Sequence, residues 1–346
     1  MSAAGNGRFI IIGENIHTTR VIRRNAPSVE AEERGREAIA FTDEDGAARH
    51  LPVSEAEQRT QEYEEGRIKH VRTAVRLAME EGDDAEVAVA YLRALAKDQI
   101  DSGSAYLDIN VDEVSLKLEE QIAAMRWLVG LIDAYSSVPL SIDSSNLEII
   151  EAGMEAAGSE NGPPLLNSAS LERLEALDVA VAAGSPVIVT AAGDAGMPEN
   201  AEQRVENADR MIEAAGGRGI SKDRMYIDPL VFPISVDGEF GDHCLDAIRA
   251  LRERHGPEIH ITGGMSNVSF GLPNRRLIND AFLMLAIEAG ADSGIVDPVT
   301  NPPRRALSLD RSARPLELAL DVLSGADRHC KAYMKAYRKG ELEPVA

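Results

Sequence analysis

The chain has 346 residues, of which 44% are hydrophobic, and a formal net charge of −22 at pH 7. This negative charge argues against a nucleic-acid partner, since phosphate backbones are bound by clustered Lys and Arg. No apolar run approaches the ~20 residues of a membrane span, and the first residues lack the plan of a signal peptide. Cys244 and Cys330 are too few for a disulfide framework. We therefore expect a cytoplasmic protein without a membrane partner.

The first element is a continuous apolar run over residues 8–13, which predicts a strand buried on both faces, as in parallel sheets. Residues 21–53 then read as an insertion that contains a hairpin around an Asp/Gly turn. Ser54-x-x-Glu57 is a capping box, which predicts the start of a long charged helix to about Glu81. Asp83-x-x-Glu86 predicts the next helix, to about Ser102.

From residue 106 onward one unit repeats, consisting of a short apolar run, polar residues and a helical pattern. Together with the first strand, the repeats make eight strands that alternate with helices, at 106–110, 139–143, 164–168, 186–191, 225–230, 260–262 and 293–298. This alternation predicts parallel βαβ units, and eight of them at this length predict an α/β fold, a (β/α)8 TIM barrel. A doubly wound open sheet is the competing topology, but Gly13-Glu14-Asn15 is not the Gly-rich turn that it favours. We predict a single domain over residues 1–346, with residues 325–346 as a C-terminal helix and tail.

Polar residues fall at the C-terminal ends of these strands. They are Glu14, Asn15, Asp108, Asn110, Asp143, Asn167, Asp228, Asn267 and Asp297. In a barrel these ends converge on the face that carries the active site. A single Asp after a strand is usually a helix N-cap or a turn former. The repetition, rather than any one member, predicts a shared ligand site.

The residue types at these ends narrow the class of ligand. The chain has no His pair on a helix and no Cys cluster, so we expect no transition-metal site. Ser266 has no adjacent His or Lys, which argues against a nucleophilic serine, and a phosphate-binding Gly-Lys loop is missing from the sequence. Gly263-Gly264 would let a ligand approach the backbone closely. The pattern favours a planar heterocycle with several N–H donors and carbonyl acceptors.

At this point the sequence resembles a known family, the pterin-binding methyltransferases. The segments that carry the resemblance are IIIGENI, LDIN, LSIDSSN, LLNSAS, YIDPL and GGMSNVSFGLPNRRLINDAFLMLAIEAG, between Phe9 and about Pro298. Members transfer a methyl group between 5-methyltetrahydrofolate and a corrinoid. The resemblance therefore implies tetrahydrofolate or 5-methyltetrahydrofolate as substrate, and a homodimer.

The resemblance also implies roles for individual residues. Asp143, Asn167 and Asp228 match the residues that hydrogen-bond to the pterin ring, and Asp108 and Asn110 match positions that line the same pocket. Matches to the loop beside the methylated ring nitrogen, or near the site, are Gly264, Ser266, Asn267 and Arg275. For Arg275 a salt bridge that fixes the loop is an equal alternative.

Asn267 is the residue expected to act in catalysis. An amide can donate a hydrogen bond to the ring nitrogen as its charge changes, while the proton itself comes from solvent. The chain lacks an Asp-x-His-x-x-Gly corrinoid signature. We therefore expect cobalamin to arrive on a separate corrinoid protein or as the free cofactor. The site leaves the direction of transfer open, because complementarity to the transition state serves both directions.

Three departures from the family pattern leave alternatives open. After the fifth strand the family often has Met-Asn-Lys-Thr-Gly, where this chain has Ala-Gly-Asp-Ala-Gly at residues 192–196. His17 stands where Asn is common, and either assists protonation or has a structural role. The insertion over residues 21–53 is missing from compact members. A dihydropteroate synthase-like enzyme and a non-catalytic folate-binding subunit are the competing functions.

Overall fold

A computed structural model describes residues 9–32, 34–80, 82–194 and 196–342. The strands are β1 (Ile10–His17), β2 (Ile22–Arg23), β3 (Val29–Ala31), β4 (Glu37–Thr42), β5 (Ala48–Pro52), β6 (Arg67–Ile68), β7 (Tyr106–Asn110), β8 (Leu140–Asp143), β9 (Leu165–Ala169), β10 (Val187–Thr190), β11 (Met225–Asp228), β12 (His260–Ile261) and β13 (Ser293–Val296).

The helices alternate with the strands from β7 onward. They are α1 (Glu55–Gln58), α2 (Gln61–Glu64), α3 (His70–Met79), α4 (Ala85–Asp101), α5 (Leu118–Asp133), α6 (Leu147–Ala156), α7 (Glu175–Ala183), α8 (Ala201–Gly217), α9 (Phe240–His255), α10 (Arg275–Ala289), α11 (Pro303–Ala306), α12 (Arg314–Leu323) and α13 (Lys331–Arg338). Among the described residues, no helix has both the length and the apolar character to cross a membrane.

Eight strands form one sheet in the order β12-β11-β10-β9-β8-β7-β1-β13. The strands at the two ends of this order, β12 and β13, are joined by hydrogen bonds such as Ile295 N to Gly263 O at 2.9 Å. The order therefore has no free ends, and the predicted (β/α)8 barrel is confirmed against the open-sheet alternative.

Contacts within the chain define two compact units, Gly13–Asn167 and Met1–Ile12 with Ser168–Ala346. The prediction of a single domain stays a prediction. In the unit Gly13–Asn167, the strands of the eight-stranded sheet are buried on both faces, and Leu107, Ile109 and Ile142 are inaccessible to solvent. Each such side chain contributes ~1.5–3 kcal/mol through the hydrophobic effect.

The insertion contains the predicted hairpin, in which β4 and β5 pair in antiparallel fashion. The expected long helix is wrong, because the chain forms α1, α2 and β6 before α3. Ser54 caps α1 as predicted and accepts from Glu57 N at 3.1 Å. Glu57 does not return the bond; it is 1% exposed and pairs with Arg72 at 2.8 Å. Because Glu57 and Arg72 are paired, neither charge is left uncompensated where it is buried. Gly66 then turns the chain at a φ of 82°.

Local signals also set the ends of the barrel helices. In α6 and α8 the N-cap residues Asn146 and Asn200 accept backbone N–H donors, as N-caps do. Gly184 ends α7 in the left-handed region, where glycine has no steric cost. The sequence predicts Asp83 as the cap of α4, but the helix begins at Ala85 and its N-cap is Asp84. The side chain of Asp84 pairs with Arg36 at 2.6 Å and makes no capping bond.

Candidate active site

Three neighbouring strand ends place one row of polar side chains in the unit Gly13–Asn167. Parallel register opposes Asn110 to Asp143, and Asp143 to Asn167. Residues opposed in register project from the same face of a sheet. The LDIN, SIDSSN and LLNS segments, which are far apart in sequence, therefore contribute one continuous polar row.

Hydrogen bonds fix the orientation of Asp143 within this row. Asn110 donates from Nδ2 to Asp143 Oδ2 at 2.9 Å, and its own Oδ1 accepts from the backbone of Asp112 at 3.0 Å. The amide thus cannot rotate without losing one of its bonds. Among the described residues none donates to Asp143 Oδ1, so this oxygen is available as an acceptor.

Opposing effects determine the pKa of Asp143. Burial raises the pKa of this carboxyl to about 7, and the charge of Asp108 adds to that rise. The charge of His17 and the amide of Asn110 act in the opposite direction. A carboxyl with its pKa close to neutrality can act either as an acceptor or as a donor at physiological pH.

Asp108 lies in a buried contact with two other polar residues. Its side chain is 1% exposed and accepts from His17 Nε2 at 2.9 Å and from Asn167 Nδ2 at 3.3 Å. Burial alone would lower the pKa of His17, but the hydrogen bond and charge of Asp108 outweigh it, so the pKa is raised. Asp108 therefore orients Asn167 and His17.

One candidate cation site lies in the same cluster. Ligand atoms of His17, Asp108 and Asp143 fall within 4.8 Å of one another. One imidazole and two carboxylates suit a divalent ion in principle. However, His17 Nε2 already bonds Asp108, and Asn110 already bonds Asp143. We therefore assign His17 and Asp108 to the hydrogen bond with each other, and Asp143 to its bond with Asn110, rather than to a metal.

Asp112 supports the loop beside the candidate site, and sequence reasoning missed it. Its carboxylate accepts from Ser144 Oγ at 2.5 Å and from Ser145 N at 3.0 Å. These bonds hold the loop that follows β8, and so hold the C-terminal side of Asp143. The serine pair in SIDSSN was the available signal, because Ser hydroxyls in turns usually need a nearby acceptor.

In the unit that contains Ser168–Ala346, Asp228 ends β11 and turns the chain. Its Oδ1 accepts from Leu230 N at 2.8 Å, and Leu230 adopts a φ of 68°. A left-handed leucine is a strained conformation that the surroundings must hold in place. Burial raises the pKa of Asp228 to about 6, partly offset by the Leu230 N–H and the charge of Arg204.

The two adjacent glycines leave room for the side chains beside them. A Cβ on Gly264 would lie 2.8 Å from Asn267 Nδ2. A Cβ on Gly263 would lie 3.2 Å from Asp228 Oδ1 and 3.1 Å from Val231 Cγ2. Both glycines therefore let a predicted site residue pack directly against the backbone.

Asn267 lies in a 3₁₀ turn, Met265–Ser269, directly after β12. Its backbone N–H bonds Gly264 O at 3.0 Å. Its side-chain amide makes no hydrogen bond to any residue within the described parts of the chain, and it is partly exposed. A partly exposed amide without a protein partner is available to a ligand.

Arg275 fixes the loop that carries Asn267. It donates from Nε to Ser269 Oγ at 2.9 Å and from Nη2 to Ser266 O at 2.8 Å. Its guanidinium also lies 4.3 Å from the centre of the Phe270 ring. These contacts support the loop-fixing alternative, made through a hydroxyl, a carbonyl and a ring. They also place Ser266 as a backbone acceptor for Arg275.

Asp297 and the segment 192–196 make local contacts within or near their own loops. Asp297 accepts from the backbone of Val299 and Thr300 at 3.1 and 3.0 Å, which is the behaviour of a turn former. In the segment 192–196, Gly193 N donates to Gly196 O at 3.0 Å and Asp194 pairs with Arg210 at 2.8 Å. Ala195 of that segment lies outside the described residues.

Comparisons with known proteins agree with this arrangement. Residues 56–297 match the family of pterin binding enzymes. The methylcorrinoid:tetrahydrofolate methyltransferase of Eubacterium limosum is 31% identical over 276 residues, which is 78% of this chain and 94% of that protein. The methionine synthase of Mycobacterium leprae is also 31% identical, over 69% of this chain, but the match spans only 21% of the synthase.

Solved structures share the fold. A dihydropteroate synthase from Xanthomonas albilineans, in complex with 7,8-dihydropteroate, superposes with a TM-score of 0.52 at 22% identity, covering 64% of this chain and 83% of that one. At this identity the likeness defines the barrel and not the reaction. Together, the barrel with its polar strand ends and the family match define a class: this chain belongs to the pterin-binding enzymes.

Proposed function

We propose that the protein transfers a methyl group between a corrinoid carried by a separate protein and tetrahydrofolate. The observation that carries the proposal is the row of Asn110, Asp143 and Asn167, because it offers a carboxylate and amides in a fixed order to a polar heterocycle. The E. limosum relative supports the reaction and also a direction, from the methylcorrinoid to tetrahydrofolate.

In this direction the atoms balance as follows. The lone pair of the folate ring nitrogen forms the new N–CH3 bond, and the cobalt of the partner keeps the electron pair of the broken Co–C bond. The nitrogen then loses its proton to solvent. The hard chemistry belongs to the corrinoid substrate, while the protein supplies position and electrostatics.

The proposed roles of the site residues are separable. Asp143, Asn167 and Asp228 bind the pterin ring through its N–H and carbonyl groups. Asn110 and Asp108 act by orienting Asp143 and Asn167, respectively. In this division of roles, the first three residues determine affinity.

The loop after β12 takes the catalytic role. In the direction from the methylcorrinoid to tetrahydrofolate, the amide oxygen of Asn267 accepts a hydrogen bond from the N–H of the reacting ring nitrogen, which becomes positively charged as the N–CH3 bond forms. The lack of a partner for this amide among the described residues supports this role. Gly264 leaves room for the amide, and Ser266 and Arg275 hold the loop that presents it. A corrinoid-protein partner, a homodimer and a cytoplasmic location complete the proposal.

A dihydropteroate synthase-like reaction has less support. That reaction releases pyrophosphate, whose charge requires a cationic clamp. One of the arginines after β13, Arg305, instead pairs with the buried carboxylate of Asp280 at 2.7 Å, and Asn301 bonds the same carboxylate.

The test is a spectroscopic assay of the corrinoid. A methylcorrinoid protein is mixed with the enzyme and tetrahydrofolate, and loss of the methyl-Co(III) absorbance is followed together with the formation of 5-methyltetrahydrofolate. We expect transfer that depends on enzyme. Tetrahydrofolate binding without transfer from any corrinoid donor would instead identify a folate-binding subunit, and formation of dihydropteroate would overturn the proposal.

A further inference from the structure

Tyr333 on α13 connects the C-terminal part of the chain to the turn that begins α10. Its side chain is fully buried, and its hydroxyl lies 3.2 Å from Pro273 O and 3.3 Å from Asn274 O. The single O–H is therefore shared between two adjacent carbonyls. Asn274 makes a further bond to this part of the chain, because its Nδ2 donates to Leu342 O at 2.7 Å. Two side chains thus join the end of the chain to one dipeptide.

The backbone is left-handed on both sides of this contact. Among the described residues, four that are not glycine have a left-handed φ, and three of them lie here: Asn274 at 48°, His329 at 59° and Cys330 at 53°. Residues other than glycine keep this conformation only where the surroundings hold it in place. The carboxylate of Asp327 accepts from two backbone N–H groups in the first turn of α13, at 3.0 and 2.9 Å. These bonds fix the start of α13.

Asn274 is followed directly by Arg275, the residue that fixes the loop of Asn267. Arg275 donates to Ser266 O and to Ser269 Oγ, one on each side of that asparagine. Because Arg275 is the first residue of α10, the place of its guanidinium depends on where the helix begins. The carbonyl of Asn274 that accepts from the α13 hydroxyl belongs to the peptide group directly before Arg275. Direct contacts therefore lead from α13 to the loop that carries Asn267.

We propose that Tyr333 is a positioning residue for methyl transfer, whose hydroxyl holds the turn at Asn274 and, through Arg275, the loop after β12; this inference rests on the proposed function. Phenylalanine would fill the same space, so the hydroxyl contributes its hydrogen bonds to this contact. If those bonds served stability alone, their loss would leave transfer by the folded enzyme unchanged. As positioning bonds they affect the rate, because a small displacement of a catalytic group slows the reaction.

Two substitutions on opposite sides of the contact test the proposal. Tyr333→Phe removes the hydroxyl and keeps the ring. Asn274→Gly removes the bond to Leu342 O, while glycine adopts the left-handed turn without steric cost. Tyr337→Phe, at an exposed position of α13, is the matched control. Single-turnover methyl transfer from a methylcorrinoid protein is measured at saturating tetrahydrofolate, affinity by titration calorimetry, and folding by thermal unfolding.

For Tyr333→Phe we expect the rate to fall roughly five- to tenfold, while the tetrahydrofolate dissociation constant changes by less than about twofold. Asn274→Gly should show the same split between rate and affinity, and Tyr337→Phe should match the wild type. An unchanged rate in the folded variants, or an equal loss of rate and affinity, would overturn the inference. Should Tyr333→Phe fail to fold, Asn274→Gly decides between these outcomes.

A double-mutant cycle identifies the residue through which Tyr333 acts. In an Asn267→Ala background there is no amide to position, so Tyr333→Phe should slow the residual transfer no further. A further loss there would show that the hydroxyl acts on the fold and not on the presentation of Asn267, and would overturn the inference. Wild-type protein that binds tetrahydrofolate but accepts no methyl group from any corrinoid donor would instead refute the proposed function.

Discussion

The two units present polar strand ends in opposite ways. In Gly13–Asn167 the side chains bond one another: Asn110 holds Asp143, and Asp108 holds both Asn167 and His17. In the unit that contains Ser168–Ala346, the carboxylate of Asp228 accepts from its own loop, and the Asn267 amide bonds no described residue.

This difference matters for what each set can do. Side chains that are hydrogen-bonded to one another are held rigidly and present their acceptors at fixed positions. Ligand binding then costs little additional side-chain entropy. An amide without a partner among the described residues has no bond to break before it bonds to a group whose charge changes during reaction. In the proposed function, this contrast assigns affinity and rate to different residues, and each prediction below tests that division.

The largest effect is expected from Asn267→Ala. Loss of one preorganised hydrogen-bonding group at a changing charge typically lowers a rate by ~10²–10³-fold. We expect a loss of this size in single-turnover methyl transfer at saturating tetrahydrofolate, with affinity changed by less than roughly threefold. An equal fall in rate and affinity would mean uniform binding, and would remove the distinction between the two regions.

Asp143→Asn should show the reverse pattern. It replaces a charged acceptor held by Asn110 with a neutral amide, and a hydrogen bond to a charged group contributes ~1.5–3 kcal/mol. The tetrahydrofolate dissociation constant should therefore rise roughly 10–100-fold in calorimetry, while the rate at saturation changes little. Asp178→Asn, an exposed carboxylate on α7, is the matched control. Unchanged affinity would exclude Asp143 as a ring anchor.

Much of this site follows from local sequence patterns. Continuous apolar runs that end in a polar residue identify the strands and place Asp143 and Asp228 at their ends, because side-chain period and burial are local properties. The prediction for Asn167 is less exact, because β9 continues to Ala169. The pairing of Asn110 with Asp143 depends instead on the register of two strands whose paired residues lie 33 positions apart. Register is set by the closed barrel and not by either segment alone.

Charged residues on helices were the main source of error. Helical charges are usually solvated, and that rule hides both the Glu57–Arg72 pair and Arg204. The sequence predicts that Glu57 completes a capping box. Its carboxylate instead bonds Arg72, 15 residues later, in the interior, and the predicted long helix is interrupted after α1. Arg204 looks in sequence like any exposed arginine of α8, and only the packing of that helix reveals its burial.

Gly264→Ala probes how closely the loop after β12 must fit. Its Cβ would lie 2.8 Å from Asn267 Nδ2, so the amide must move by several tenths of an ångström. Misplacement of a catalytic group on this scale should slow methyl transfer roughly tenfold. Gly217→Ala, whose Cβ would have no neighbour within 4 Å, is the control. Equal rates for the two variants would show that the position of Asn267 is not critical.

The smallest effect is expected from His17→Gln, and it concerns pH. The imidazole charge lowers the pKa of Asp143, which lies at about 7 in the wild type. The ionised carboxylate is present above that pKa and is lost as the pH falls through it. Without His17 the pKa should rise, so calorimetric affinity for tetrahydrofolate at pH 7 should fall by roughly threefold and recover at pH 9.

His255→Gln is the matched control for that titration, because His255 pairs with Asp209 at 2.7 Å at a distance in sequence from the polar row. Its affinity profile should follow the wild type. If His17→Gln instead moves the affinity profile to lower pH, then His17 raises rather than lowers the pKa of Asp143. The hydrogen-bonded side chains around Asp143 would then act by their geometry alone. They would differ from the loop of Asn267 in rigidity and not in charge.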